Sequence, residues 1–230
     1  MIGIIVAMPE ERTEMEKLME SCTMIEYFGQ KYFEGKIAGK DVVVAESGVG
    51  KVAAAVTVTR IMERYHCDCI INIGTAGGIK PYEQVADVVV VDKMTYHDWD
   101  EEAINGQARG FKNNQYVFES DPELVKLAEQ IMSGFTEHKT HIGAIVSGDA
   151  FVSEESTVKM IQEKFPEAVA CDMESASVGH VCSMYQVPCV IIRSLSDIVT
   201  NEGNHMDFWT YLKIASHRSA AFTAEFIARL

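Results

Sequence analysis

The sequence predicts an α/β fold in which helices cover a buried, mostly parallel β-sheet. Two observations predict this class. Short runs rich in β-branched residues alternate with longer segments of helical periodicity over the 230 residues, and these runs are apolar throughout, as in strands that are buried on both faces. No internal repeat and no proline- or serine-rich linker interrupts the alternation, so residues 1–230 are expected to form one domain.

The individual elements follow from these patterns and from the residues that bound them. The first helix opens with Glu10, Glu11 and Glu14, which suit the positive end of a helix dipole, and the second is rich in alanine. The predicted strands span residues 2–7, 31–37, 42–46, 69–73, 87–92, 141–146, 169–171 and 188–195. The predicted helices span residues 10–20, 51–65, 122–132, 154–164, 174–185 and 208–230. Residues 96–116 form a long irregular segment, and such a loop in a compact domain is usually functional.

Composition and charge exclude several classes of function. The formal net charge of −14 would repel polyanions, so neither nucleic acid nor an anionic membrane is an expected partner. No segment reaches the roughly 18 to 20 apolar residues that span a bilayer. The apolar start, residues 2–8, lacks a basic flank and turns acidic at Glu10, which predicts a buried strand and not a signal peptide. The six cysteines show no Cys-x-x-Cys spacing, and we expect buried thiols in the reducing cytoplasm.

Glycine, hydroxyl and acidic residues cluster where predicted strands end. In sheets of this class, ligands bind beyond the carboxyl ends of the strands, so these distant segments should converge on one rim. The segments are Ala7-Met8-Pro9-Glu10-Glu11, Glu46-Ser47-Gly48-Val49-Gly50, Gly74-Thr75-Ala76-Gly77-Gly78, Ser147-Gly148-Asp149-Ala150-Phe151 and Ser194-Leu195-Ser196-Asp197.

Other motifs fit less well. Gly48-Val49-Gly50-Lys51-Val52-Ala53 matches the dinucleotide-binding pattern, but the candidate ribose-binding acid, Asp68, opens its strand instead of ending it. A tight glycine turn is the expected alternative, and a phosphate-binding P-loop is excluded by Ala45 and Val52. His97, Asp98 and Asp100 could hold a hard metal ion, although a polar loop explains them equally. No Gly-x-Ser-x-Gly elbow is present.

Taken together, these segments resemble the 5′-methylthioadenosine/S-adenosylhomocysteine nucleosidases of the nucleoside phosphorylase/hydrolase superfamily. The resemblance runs nearly end to end. It implies a three-layer α/β/α sandwich with a mixed, mostly parallel central sheet, usually a homodimer, no metal or organic cofactor, and a small nucleoside as substrate. It rests on Ile2-Gly3-Ile4-Ile5 with Ala7-Met8 and Glu10-Glu11, Ser47-Gly48-Val49-Gly50-Lys51-Val52-Ala53-Ala54-Ala55, Gly74-Thr75-Ala76-Gly77-Gly78, Tyr96-His97-Asp98, Val146-Ser147-Gly148-Asp149-Ala150-Phe151, Met173-Glu174 and Arg193-Ser194-Leu195-Ser196-Asp197.

The resemblance also implies roles for individual residues. Asp197, helped by Ser196, would protonate N7 of the purine. Glu11 would activate the attacking water with Arg193 nearby, and Glu174 would hold the ribose hydroxyls. The remaining implied contacts are Met173 against the sugar, Phe151 stacked on the base, the backbone of Val152 at the base edge, Gly77 and Thr75 on the ribose and water side, and Met8, Val49 and Phe208 at the 5′ end.

The chemistry of N-ribosyl cleavage calls for these residue types. An acid must protonate the leaving base, and a second carboxylate must accept a proton from water on the opposite face. A third carboxylate can accept hydrogen bonds from two hydroxyls near the developing positive charge. Burial would keep Asp197 protonated. Each residue alone also fits a purely structural role: Glu11 and Glu174 could simply favour helix N-termini.

The reaction and the substrate tail stay open at this point. Related phosphorylases carry a glycine- and arginine-bearing loop where this chain has Pro9-Glu10-Glu11, and a carboxylate there repels phosphate, so hydrolysis is favoured. Relatives carry an apolar Phe-Gly-Tyr loop where residues 99–107 stand, and Ile104 could replace its aromatic cap. 5′-Methylthioadenosine, S-adenosylhomocysteine, 5′-deoxyadenosine and aminofutalosine-like nucleosides are all candidates. A nucleoside-binding sensor without turnover is the alternative outside enzymes.

Overall fold

The structure is a computed structural model. It describes residues 1–100, 102, 106, 110–112, 114–132, 134–135, 138–200 and 204–230, except for the side chains of residues 204–207. The strands are β1 Ile2–Val6, β2 Cys22–Tyr27, β3 Gln30–Ile37, β4 Lys40–Glu46, β5 Cys69–Gly78, β6 Val88–Tyr96, β7 Phe118–Glu119, β8 Thr140–Ser147, β9 Ala168–Asp172 and β10 Cys189–Ile198. The helices are α1 Pro9–Glu16, α2 Lys51–Tyr65, α3 Pro122–Met132, α4 Glu155–Lys164, α5 Ser175–Tyr185 and α6 Asn204–Arg229.

The strands form one mixed, largely parallel sheet. Parallel pairing joins β1 to β4 and β5, β10 to β5, and β8 to β6 and β9. Antiparallel pairing adds β3 and β2 at one edge and joins β10 to β6 and β5 to β9. Because β10 pairs with both β5 and β6, the strands β5, β10, β6, β8 and β9 close into a ring. The carboxyl ends of β5, β9 and β10 therefore lie next to one another.

Of the three apolar clusters among the described residues, the two largest lie on opposite faces of this sheet, and alternation along the strands creates them. On β1 and β5, Ile5 and Ile70 point to one face, while Ile4 and Ile71 point to the other. Helices α2 and α5 cover the first core, and α1, α3 and α6 cover the second. The result is the three-layer α/β/α sandwich that the resemblance implied. Among the described residues, we find no helix whose length and apolar content would let it span a membrane.

Several element boundaries differ from the sequence-based expectation. Strand β5 does not stop at residue 73 but continues through Gly78, and β10 continues past residue 195 to Ile198, because these two strands pair along their whole length. Helix α1 ends at Glu16 and not at residue 20. Strand β2 was missed because it lies at the sheet edge with mostly exposed residues and lacks an apolar run. The short strand β7 follows residues 96–116, part of which lies outside the described residues.

Candidate active site

The structure brings all thirteen predicted site residues to one cavity of about 230 Å³. The cavity lies at the carboxyl ends of β1, β4, β8 and β9, and the last residues of β5 and β10 also line it. The predicted residues around it are Met8, Glu11, Val49, Thr75, Gly77, Phe151, Val152, Met173, Glu174, Arg193, Ser196, Asp197 and Phe208. A shared cavity is the spatial condition that the predicted reaction requires. The individual roles stay predictions.

Glu11 reaches the cavity from the first turn of α1, and its side chain is almost completely buried. It occupies the third helical position, and its Oε2 accepts hydrogen bonds from Ala7 N at 2.9 Å and Met8 N at 3.1 Å. Burial raises the pKa of Glu11, while the charge of Arg193 and these backbone bonds act to lower it. A Cβ at Gly74 would stand 3.0 Å from Oε1 of Glu11, so the glycine leaves room for the carboxylate.

Asp197 enters the cavity from a bulge in β10. Leu195 pairs with Ala76 and Asp197 with Gly77, so Ser196 is the extra residue between two registered positions. Ser196 Oγ donates to Asp197 Oδ1 at 2.8 Å, and both side chains are buried. A Cβ at Gly77 would stand 3.2 Å from Asp197 Oδ2, so the glycine lets this carboxyl lie against β5. Asp197 was expected to follow its strand, but it lies within β10.

Glu174 occupies the N-cap position of α5, but its side chain extends to the beginning of α2. Its Oε1 accepts a hydrogen bond from Gly50 N at 2.8 Å, across 124 positions of sequence. Burial and the nearby Asp172 raise the pKa of Glu174 to about 7, against the opposing effects of the Gly50 hydrogen bond and Arg193. The cavity thus holds a carboxyl group that changes charge near neutral pH.

A buried polar network in the wall of the cavity was not predicted from the sequence. Arg193 Nε donates to Asp172 Oδ2 at 2.9 Å, and its Nη2 donates to Asn72 Oδ1 at 2.6 Å. Asp172 Oδ1 also accepts from Ser147 Oγ at 2.5 Å, and its Oδ2 accepts from the hydroxyl of Ser175. The available signal was a polar residue, Asn72, inside the apolar strand β5, because a buried amide requires partners.

Aromatic side chains line the outer end of the cavity. The rings of Phe151 and Phe208 meet edge to face with centroids 5.7 Å apart, and Trp209 stands edge-on to Phe208 at 5.1 Å. Phe151 is 41% exposed and therefore offers a free face to a ligand, whereas Val152 is buried. Trp209 was not among the predicted residues. Ile104, the expected tail cap, lies outside the described residues.

The segment with His97, Asp98 and Asp100, which could have held a metal ion, and the dinucleotide-like pattern at residues 48–53 both form contacts with other parts of the chain. No group of three metal-ligating side chains occurs among the residues that the structure describes, and Asp98 forms an ion pair with Lys51 at 2.7 Å. The dinucleotide pattern forms a glycine turn at the beginning of α2. The carboxylates of Glu174 and Asp149 accept hydrogen bonds from the amides of Gly50 and Lys51. The phosphates of a dinucleotide would need these same amides.

Comparison with known proteins identifies the family. The model of the phosphorylase superfamily matches residues 1–228, and the chain belongs to this superfamily. A relative from Tolumonas auensis, a 5′-methylthioadenosine/S-adenosylhomocysteine nucleosidase, is 36% identical, and the match covers 100% of this chain and 99% of the relative. These matches place the chain in the 5′-methylthioadenosine/S-adenosylhomocysteine nucleosidase family, as the motifs had indicated.

Solved structures agree with this placement. The nucleosidase of Neisseria meningitidis in complex with methylthio-immucillin-A has a TM-score of 0.92 at 34% identity, over 100% of this chain and 99% of that one. A protein of Borrelia burgdorferi bound to adenine also has a TM-score of 0.92, at 36% identity over 100% of both chains. The likeness therefore extends over the whole fold.

Proposed function

We propose that this chain hydrolyses the N-ribosidic bond of 5′-substituted adenine nucleosides and releases adenine. 5′-Methylthioadenosine and S-adenosylhomocysteine are the first candidates, as the names of the relatives suggest, and 5′-deoxyadenosine is a third. The observation that carries the proposal is the single cavity in which Glu11, Glu174 and Asp197 meet beside an exposed aromatic ring. A nucleoside presents a base, a diol and a scissile bond to these groups.

Asp197 is the proposed general acid. Departure of adenine leaves negative charge on the base, and a carboxylic acid beside N7 neutralises it by donating a proton. Oδ1 accepts the hydrogen bond from Ser196, and Oδ2, which lies beside Gly77, is the oxygen proposed to carry the proton. Burial disfavours the ionised carboxylate, which suits an acid that must carry a proton near neutral pH.

Glu11 is the proposed general base. The amides of Ala7 and Met8 hold Oε2, and Oε1, which lies beside Gly74, is the oxygen proposed to accept a proton from water. Arg193, whose charge acts on Glu11, helps to keep the carboxylate ionised. An acid and a base on opposite faces of the sugar is the arrangement of an inverting glycosidase.

Glu174 is the proposed ligand of the ribose hydroxyls. A carboxylate accepts two hydrogen bonds from a vicinal diol, and its charge stabilises the positive charge that develops on the sugar in the transition state. Met173 would pack on the sugar, Phe151 would stack on the base, and the backbone of Val152 would read the base edge.

The charges of the cavity favour water over phosphate as the nucleophile. Its lining includes four acids, Glu11, Asp172, Glu174 and Asp197, whereas Arg193 is the one lysine or arginine among the described lining residues. That arginine is already paired with Asp172. A phosphate dianion would therefore meet net negative charge, which repels it more strongly in a desolvated site.

Product analysis with and without phosphate tests the reaction. We expect free adenine and the free 5′-substituted ribose at equal rates in both buffers, with Asp197→Asn as the inactive control. The rates of adenine release from a panel of 5′-substituted adenosines show which 5′ substituent the chain prefers. Ribose 1-phosphate-type products that appear only with phosphate would establish a phosphorylase instead, and binding without adenine release from any member would indicate a nucleoside sensor.

We further propose that the chain acts as a homodimer in the cytoplasm, in methionine salvage, without metal or organic cofactor. The six cysteines support a reducing compartment, because none forms a disulfide and five are buried. Light scattering should give twice the monomer mass of 25.5 kDa, and adenine release should be unchanged by a metal chelator. A monomer, or loss of activity with the chelator, would contradict the respective part of this proposal.

A further inference from the structure

Three charged residues from three different elements meet beside the mouth of the cavity. Lys51 opens α2, Asp98 follows β6, and Asp149 follows β8. Lys51 Nζ lies 2.7 Å from Asp98 Oδ2 and 3.5 Å from Asp149 Oδ2. Asp98 Oδ2 also accepts a hydrogen bond from Asp149 N at 3.0 Å. The three residues, which we call the α2 latch, belong to motifs for which the reaction itself gives no role.

The latch holds one of two adjacent amides at the beginning of α2. Asp149 Oδ1 accepts a hydrogen bond from Lys51 N at 2.8 Å, and Glu174 Oε1 accepts one from Gly50 N at 2.8 Å. The first amides of a helix lack partners within the helix, so the two carboxylates satisfy neighbouring donors. The N–H of Lys51 lies in the peptide plane that follows the Cα of Gly50, and the N–H of Gly50 lies in the plane that precedes it. Asp149 and Glu174 therefore each hold one of the two peptide planes that meet at Gly50.

This arrangement depends on glycine at position 50. Gly50 has a φ of +100°, which side chains rarely adopt, and a Cβ there would stand 3.1 Å from Asp149 Oδ1. The exits of β6 and β8 are packed tightly against each other, because a Cβ at Gly148 would stand only 2.3 Å from His97 Nε2. The backbone next to Asp149 is therefore held in place, and its carboxylate can bind the amide of Lys51 in a fixed geometry.

We propose that Asp149 is a positioning residue for Glu174: by holding the amide of Lys51, with Lys51 Nζ and Asp98 as supports, it orients Gly50 N–H toward the carboxylate that binds the ribose. This inference rests on the proposed function only in the identity of the ligand that Glu174 binds. Asp149 itself is absent from the lining of the cavity and acts through the backbone.

The charges that face Glu174 show why one hydrogen bond matters. Burial disfavours its ionised form, as do Asp172 and Glu11, while the Gly50 N–H and Arg193 favour it. Because the pKa of Glu174 lies at about 7, a misdirected Gly50 N–H raises this pKa further and leaves more of the residue protonated at neutral pH. A protonated Glu174 accepts fewer hydrogen bonds from ribose hydroxyls.

The decisive comparison is between Asp149→Ala and Asp149→Asn. Both variants remove the same negative charge, but asparagine keeps a carbonyl oxygen that can accept from Lys51 N. We expect Asp149→Ala to lower kcat/KM at pH 7 about tenfold, mainly through KM, and to move the acidic limb of the pH profile to higher pH. Asp149→Asn should retain most of kcat/KM and the wild-type limb. Asp41→Ala, which removes an exposed carboxylate paired with Lys36, is the matched control.

A Glu174→Gln background shows whether Asp149 acts through Glu174. If it does, adding Asp149→Ala to Glu174→Gln costs little more than Glu174→Gln alone. Equal losses in both backgrounds would overturn the inference, as would an unshifted pH limb in Asp149→Ala or equal effects of alanine and asparagine. If Asp149→Ala fails to fold, Asp98→Ala removes the support of Asp149 and should shift the limb in the same direction; an unshifted limb there overturns it.

A spectroscopic readout separates this inference from the proposed reaction. In protein labelled with ¹⁵N-glycine, the Gly50 amide resonance should titrate with Glu174 near pH 7 in the wild type and in Asp149→Asn. In Asp149→Ala its titration should weaken and move to higher pH. An unaltered Gly50 titration in Asp149→Ala overturns the positioning role, whereas absent adenine release in the wild type contradicts only the proposed reaction.

Discussion

Arg193 and Asp172 form a buried ion pair in the wall of the cavity, with Nε of the arginine 2.9 Å from Oδ2 of the aspartate and each side chain 2% exposed. The side-chain oxygen of Asn72 accepts a hydrogen bond from another guanidinium N–H, and the hydroxyls of Ser147 and Ser175 donate hydrogen bonds to the aspartate. The network satisfies groups that would be costly to bury alone. It also fixes the positive charge that acts on both Glu11 and Glu174.

Breaking this pair should destabilise the fold. Asp172→Ala leaves the guanidinium of Arg193 buried without its counter-charge, and we expect the free energy of unfolding to fall by about 3 kcal/mol or more. Urea denaturation at pH 7 measures it. The exposed pair of Lys36 and Asp41 provides the control, since Asp41→Ala should leave the midpoint nearly unchanged. Similar midpoints for the two variants would show that the buried pair contributes no more to the free energy of unfolding than the exposed pair.

Replacement of the proposed acid should abolish turnover without unfolding the chain. Asp197→Asn keeps the size of the side chain and its hydrogen bond with Ser196, but it cannot deliver an acidic proton to the base. We expect kcat to fall by about 10² to 10⁴, with an unchanged circular dichroism spectrum and thermal midpoint. Adenine release under saturating substrate measures the effect. Turnover near that of the wild type would remove Asp197 as the acid.

The ionisation of Glu174 should set the acidic limb of activity. The free enzyme needs this group as a carboxylate, and its pKa lies at about 7 because of burial and Asp172. We therefore expect kcat/KM for 5′-methylthioadenosine to decline as the pH falls below about 7. Glu174→Gln should show low activity and lack this limb. A limb of unchanged position in Glu174→Gln would assign it to another group, such as Glu11.

The same group should make stability depend on pH in the opposite sense. The ordinary pKa of a glutamate is 4.5, and Glu174 binds its proton more tightly in the folded chain. The free energy of unfolding should therefore fall as pH rises from about 4.5 to about 7. Glu174→Gln removes this loss, so its thermal midpoint should exceed that of the wild type at pH 8 and lose the advantage near pH 5. A constant difference across this range would refute the linkage.

Loss of the exposed aromatic face should weaken binding more than catalysis. Phe151→Ala removes the ring that is proposed to stack on adenine, and stacking on an aromatic side chain contributes about 1–3 kcal/mol per base. We expect KM to rise about ten- to a hundredfold, with a smaller change in kcat. Phe28→Ala, at a ring that is 75% exposed away from the cavity, is the control. Equal KM values for the two variants would contradict stacking on Phe151.

Much of the architecture could be predicted from local patterns. The bounds of α2 and α3 agree with the expectation residue for residue, because helical periodicity and end signals are local. The extensions of β5 and β10 could not be predicted, because Gly74-Thr75-Ala76-Gly77-Gly78 alone is typical of a loop. Pairing with β10 along its length turns that segment into a strand. Strand β2 depends in the same way on its neighbour β3.

The α/β class, the family, and the residue types that gather at the carboxyl ends of the strands can all be inferred from the amino-acid sequence. How those residues face one another is settled only when the chain folds. The bulge at Ser196 directs Asp197 toward the cavity, and Glu174 accepts a hydrogen bond from Gly50, which lies 124 positions away in the sequence. This division arises because periodicity and turn signals act over a few neighbouring residues. Strand pairing, burial and the resulting pKa of Glu174 depend on distant segments that meet only in the folded chain.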